Sequence, residues 1–185
     1  MNRVIAVVGM TGSGKSLLCR ELARRGCPVI YFGGIVLHEV QARGLALTPE
    51  NERRVREELR AAEGMDVCAV RALPEIHELL EANRNVVVDG LYSFSEYRTL
   101  YAALGGRLIV AAVCSPRAMR YRRLAERPER PLTAAEAEAR DIAEIEKIEK
   151  GGPIAMADIT FLNDAGPEQM ADAADRLIAI ALSEA

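Results

Sequence analysis

Gly9-Met10-Thr11-Gly12-Ser13-Gly14-Lys15-Ser16 decides how this chain is read. Its glycines reach backbone angles closed to other residues, so successive N–H groups can turn inward around an anion. Residues 3–8, before it, form a largely β-branched apolar run, as expected of a strand buried on both faces. After it, Leu17, Leu18 and Leu22 fall at helical spacing over residues 16–25, and that helix would add the positive end of its dipole.

Every fixed position of G-x-x-x-x-G-K-[ST] is filled, with the strand and helix that the motif needs on either side. The chain holds only three lysines, Lys15, Lys147 and Lys150, against 21 arginines, so a lysine at this position argues against a plain glycine turn. Gly9, Met10, Thr11, Gly12, Ser13, Gly14, Lys15, Ser16 and Leu17 are therefore expected to bind a nucleoside triphosphate with Mg2+, the loop itself leaving ATP and GTP both open. Lys15 would sit between the terminal phosphates and Ser16 would offer its hydroxyl to the metal. Val86-Val87-Val88-Asp89 ends a second buried run in a carboxylate. Asp89 is expected beside the loop, holding the metal shell through water or activating an acceptor hydroxyl.

Strand and helix signals alternate along the rest of the chain. A short strand is expected at 28–32. Residues 33–84 read as mostly helical, with Thr48 as an N-cap, Pro49 in the first turn and Pro74 breaking a later stretch. Strands follow at 85–89, 108–113 and 158–162. Capping boxes at Ser93–Glu96 and Thr133–Glu136 open two helices, the second running to about 150. Ser115-Pro116 is read as a further helix start, with the serine as its cap, and 167–182 as the last helix. The expected fold is α/β, a three-layer P-loop NTPase fold with a five-stranded parallel sheet, in a single domain over 1–185. Ligands of such sheets bind beyond the carboxyl ends of the strands.

A net charge of −3, a pI near 5.6 and the absence of tryptophan argue against a nucleic-acid surface. Cys19, Cys27, Cys68 and Cys114 lack metal or dithiol spacing and read as reduced structural cysteines. The apolar stretch at 4–8 is too short for a membrane span, and the expected location is cytoplasmic. The expected partner is a small-molecule phosphate acceptor, with the chain a monomer or weak homo-oligomer.

Between 117 and 130, Arg117, Arg120, Arg122, Arg123, Arg127 and Arg130 face only Glu126 and Glu129, a segment of net +4 in an acidic chain. Pro128 and Pro131 bound its tip. A cationic flap of this kind, over 117–132, suits a lid that stabilises charge on a transferred phosphoryl group and excludes water. Its arginines divide between phosphate and the acidic helix that follows, with Arg117 and Arg122 expected at the surface.

The loop, the Asp89 strand and the lid resemble P-loop kinases of the nucleoside monophosphate kinase superfamily, particularly dephospho-coenzyme A kinase. Arg123-Leu124-Ala125-Glu126-Arg127 looks like that family's lid motif. The stretch from Leu132 to Arg140 resembles the helix that returns an arginine to the site. Ala157 to Asp164 resembles its last strand, ending beside adenine at Asn163. The resemblance implies ATP-dependent phosphoryl transfer to a nucleotide-like acceptor. Lys15, Asp89, Arg123, Arg127 and Arg140 would be catalytic, Arg120 and Asn163 would contact the nucleotide, and Ser16 and Asp89 would hold the metal. The acceptor side departs from the pattern. Tyr31-Phe32-Gly33-Gly34 stands where the family has an acidic pair, and Leu91-Tyr92-Ser93 follows Asp89-Gly90 with no arginine close by. Region 33–84, with Thr48-Pro49-Glu50-Asn51, is closer to uncharacterised kinase-like relatives, and is expected to bind the acceptor. A regulatory nucleotide switch without an acceptor stays open beside the kinase. His38 or an arginine of the 53–60 cluster stays open as an acceptor contact.

Overall fold

The structure, a computed structural model, describes residues 2–183. Strand β1 (Val4–Val8) is buried at every position and lies at the centre of the sheet. Around it lie β2 (Val29–Tyr31), β3 (Val86–Asp89), β4 (Leu108–Cys114) and β5 (Ile159–Leu162). The strand order is β2-β3-β1-β4-β5 and every pairing is parallel, as a chain of strand–helix crossovers requires.

Alternation along the strands makes two cores. Val4, Ala6 and Val8 face one side with Val86, Val88 and Val110, and are covered by α2 (Phe32–Ala42), α3 (Pro49–Glu63), α4 (Val67–Glu81) and α5 (Phe94–Leu104). Ile5, Val7, Val87 and Ile109 face the other, under α1 (Lys15–Arg24) and α9 (Glu168–Leu182). The result is the three-layer α/β sandwich that the sequence predicts.

Both capping boxes form, at Ser93–Glu96 and Thr133–Glu136, and Thr48 accepts the Asn51 amide at 3.2 Å. Two expectations are corrected. Pro74 does not break its helix, because α4 runs through it. A mid-helix proline costs about 3 kcal/mol. Ile76 and Leu80 are buried on the same helix, and at roughly 2 kcal/mol each for full burial they offset that cost. Pro74 and the preceding-turn residue Val70 are exposed, so the carbonyl deprived of its donor is open to water.

Ser115 does not cap the helix after β4. That helix, α6 (Arg117–Glu126), starts at Pro116 with no side-chain cap. The Ser115 hydroxyl lies 2.6 Å from the Asn163 carbonyl and 3.1 Å from that of Ser13. The acidic helix, α7 (Ala134–Ile148), stops short of 150 because Glu149 adopts φ 53°, and a short helix, α8 (Gly151–Ala155), follows. Among the described residues, no helix is long and apolar enough to cross a membrane.

Candidate functional site

Residues 9–16 cross the carboxyl end of the sheet, and Gly9, Gly12 and Gly14 all take positive φ, at 144°, 82° and 100°. Close packing behind the loop demands glycine as much as the angles do. A Cβ on Gly9 would stand 2.3 Å from the Val113 carbonyl oxygen, and one on Gly14 would stand 2.1 Å from Asn163 Nδ2. Helix α1 begins with no side-chain cap, so its first amides, at Lys15 and Ser16, have no partner among the described residues. Uncapped amides at a helix N-terminus, curled by glycines, are what a polyphosphate needs.

The loop opens into a cavity of about 500 Å³, whose lining includes Lys15, Arg20, Arg123, Arg127, Arg140 and Lys150. Asp89 is the sole carboxylate there, giving six cationic side chains against one acid. In an acidic chain, this is a local concentration of positive charge. Lys15 donates to the Met10 carbonyl at 3.1 Å. Burial lowers its pKa to about 8, with help from nearby Lys150 and against the pull of Glu144 and Asp89. Asp89 ends β3 in register with Val7 of β1, which puts it next to the loop as expected. Burial raises its pKa, while Lys15 and a hydrogen bond from the Cys19 thiol pull it down.

The lid arginines divide. Arg123 donates to the Ser115 hydroxyl at 3.0 Å and to the Asn163 carbonyl at 3.2 Å, all uncharged partners. Arg127 donates its Nε to the Arg130 carbonyl. Neither makes an ion pair among the described residues, so both bring uncompensated charge to the cavity. Arg130 instead reaches across to Glu52 of α3 at 3.3 Å and ties the segment between α6 and α7 to the helical region. Arg117 and Arg122 do not line the cavity.

Arg120 is a correction. Its guanidinium is buried, bidentate to Asp141 at 2.9 and 2.6 Å, and donates to the Thr11 carbonyl at 3.0 Å. Its charge is spent on holding α6, α7 and the loop together, and it does not line the cavity. Asn163 is likewise buried, with its amide donating to the Ser13 carbonyl at 2.8 Å. It supports the loop from behind. Arg140 lines the cavity and pairs with Glu144 at 3.2 Å.

Four residues escaped the sequence reading. Glu144 accepts from the Thr11 hydroxyl at 2.6 Å and from Lys150 Nζ at 2.6 Å. Burial opposes its ionisation, but Lys150 and Thr11 win and lower its pKa to about 2. Lys150 reaches the cavity because the left-handed turn at Glu149 folds the chain back, with its amide on the Glu144 carbonyl at 3.1 Å. Tyr31 and Tyr92 line the cavity. The signal for Lys150 was its rarity among the cations, and that for the tyrosines was their place at or just after strand ends. Glu144 had none, being one acid among five on its helix. His38 lies elsewhere, in a separate cavity beside edge strand β2 with Arg71 and Glu75.

A five-stranded parallel sheet of this order, with the glycine loop after its central strand, defines a P-loop protein of kinase-like fold. Comparison with known proteins agrees. The sequence family described as an AAA domain matches residues 5–144. A UPF0200 protein of Thermococcus onnurineus is 38% identical over 184 residues, covering 98% of this chain and 99% of that one. The chain belongs to this AAA-domain family and to the UPF0200 proteins. In fold it resembles a shikimate kinase from Acinetobacter baumannii solved with shikimate (TM-score 0.56, 18% identity, 98% and 94% of the two chains). A dephospho-CoA kinase from Campylobacter jejuni is similar as well (TM-score 0.55, 15% identity, 97% of each chain).

Proposed function

We propose that the protein is an ATP-dependent, Mg2+-assisted kinase that phosphorylates a small nucleotide-like molecule. One observation carries this reading: Lys15, Arg123 and Arg127 face one cavity at a glycine cradle, without an ion-pair partner among the described residues. Charges so placed are costly to hold together, and a polyphosphate offsets that cost. The uncapped start of α1 and the side-chain-free glycines fit such a group. Ser16 and Asp89 have the oxygen chemistry to hold Mg2+, which when bound neutralises and orients the terminal phosphates.

In this reading the amides of 14–16 seat the phosphates and Lys15 swings from the Met10 carbonyl onto them. Arg123 and Arg127 stabilise charge on the group in transfer, and Arg140 joins them once released from Glu144. Asp89, its basicity raised by burial, accepts the acceptor hydroxyl's proton or orders the metal's water. Residues 33–84 form the acceptor side and 117–132 the lid, closed onto it by Arg130 and Glu52. Tyr31 lines the cavity where dephospho-coenzyme A kinases carry an acidic pair, and Tyr92 lines it where adenylate kinase-like members carry a nearby arginine.

The test is ADP release with Mg-ATP and a panel of nucleoside monophosphates, dephospho-coenzyme A, shikimate and gluconate. A steep rate rise with one of them supports the kinase. Slow hydrolysis indifferent to all of them would replace it by a nucleotide-driven switch.

A further inference from the structure

Lys150 is 1% exposed, yet it lines the same cavity as Lys15. Its ammonium has three donors and one ion pair, to Glu144 at 2.6 Å, and stands 5.2 Å from the centre of the Tyr92 ring. Every other ion pair among the described residues is made by arginine. A purely structural pair in this chain would be expected to use arginine too, whose planar fork grips a carboxylate at two points. Lysine instead offers a compact point charge that can change partner without rearranging a planar group.

Its surroundings show where that charge could go. Glu144 is shared by Lys150, by Arg140 and by the Thr11 hydroxyl of the glycine loop, so a single carboxylate separates the Lys150 ammonium from the loop. Lys150 and Lys15 also act on each other as like charges. Two ammonium groups across one cavity, with a single monoanion between a loop hydroxyl and one of them, make a site that a polyanion would complete.

We propose that Lys150 is a further phosphate-contacting cation, which leaves Glu144 to engage the terminal phosphate of a bound nucleoside triphosphate. The proposal rests on the nucleotide-binding reading above. Lys15 contacts the inner and terminal phosphates alike, whereas Lys150, held by Glu144 beside Tyr92, discriminates triphosphate from diphosphate. Glu144 holds it in place until then and compensates its buried charge.

The test compares Mg-ADP with a non-hydrolysable Mg-ATP analogue by calorimetry, on the wild type and on Lys150→Met. The variant should bind Mg-ADP within about threefold of wild type and the triphosphate analogue at least tenfold more weakly. A structural role would weaken both alike. Equal losses, or no loss, would overturn the assignment while the loop reading stands. A wild type that binds neither nucleotide would remove both. Should the variant not fold, the wild type answers directly, because a chain of three lysines labelled with 13C at Cε gives three signals. The Lys15 signal should shift with either nucleotide, that of Lys150 only with the triphosphate, and that of Lys147 with neither. A Lys150 signal identical in the two complexes refutes the proposal.

Discussion

Arg120 and Asp141, 21 residues apart on α6 and α7, meet through two parallel hydrogen bonds of 2.9 and 2.6 Å with both side chains nearly out of water. The same guanidinium donates to the Thr11 carbonyl. The pair therefore couples α6 and α7 to the glycine loop itself. Buried ion pairs contribute little net stability when formed, but removing one partner strands the other charge.

Asp141→Ala should accordingly destabilise the protein by about 3–5 kcal/mol. In a chain of this size that lowers the melting temperature by roughly 10 °C. Urea titration of wild type and variant measures it. A loss below about 1 kcal/mol would mean that the Arg120 guanidinium finds water, and that α6 and α7 are not locked to the loop.

Gly14→Ala tests the cradle. Its φ of 100° disfavours any side chain, and the new Cβ would press on the Asn163 amide that holds Ser13. The added atom cannot be accommodated by a flexible tip, because Asn163 is itself held through its main-chain carbonyl by Ser115 and Arg123. We expect a stability loss of about 2 kcal/mol and at least tenfold weaker nucleotide binding. Calorimetry that finds wild-type affinity would show that the loop does not form the phosphate seat.

Much of this was legible beforehand because it is local. The glycine loop, the buried strands and the capping boxes each announce themselves within eight residues, and Asp89 follows from the order of strands in such a fold. Pro74 misled because its local cost is offset by packing against a core that no window of sequence displays. Arg120 misled for a similar reason, since nothing near it reveals that Asp141 will take both of its nitrogens. Lys150 and Glu144 were missed because their meeting depends on one left-handed residue, Glu149, of a type that carries no sign of it. The errors fall where partners are distant or where a turn is imposed by the fold.

Lys15 gives a pH signature. In the free protein its pKa is lowered to about 8, chiefly by burial. A polyphosphate favours the charged form, so binding raises it and takes up a proton near and above pH 8. Affinity for Mg-ATP should thus fall as pH climbs from 7 to 9, with calorimetry in buffers of different ionisation enthalpy reporting proton uptake that peaks above pH 8. Lys15→Arg should abolish the uptake. Uptake unchanged in that variant would assign the proton to another group.

Glu96 should shape stability rather than binding. Its carboxylate caps α5, accepting the Tyr92 and Ser93 amides at 2.7 and 2.9 Å, yet it is wholly buried and its Oε1 has no partner among the described residues. Burial raises its pKa from 4.5 to about 7, against the opposing pull of those amides and of Arg60. A raised folded-state value means that the native form holds its proton more tightly than the unfolded chain. The resulting stabilisation is fully present below pH 4.5 and is lost as pH rises to 7. Glu96→Gln copies the protonated acid in shape and in hydrogen-bonding groups, and does not titrate. The variant should match wild type near pH 4 and exceed it at pH 8, by on the order of 3 kcal/mol. Urea unfolding at the two pH values measures this difference. A variant less stable than wild type at pH 8 would mean that the ionised carboxylate, through its two amides and the Arg60 field, is the form that the fold prefers.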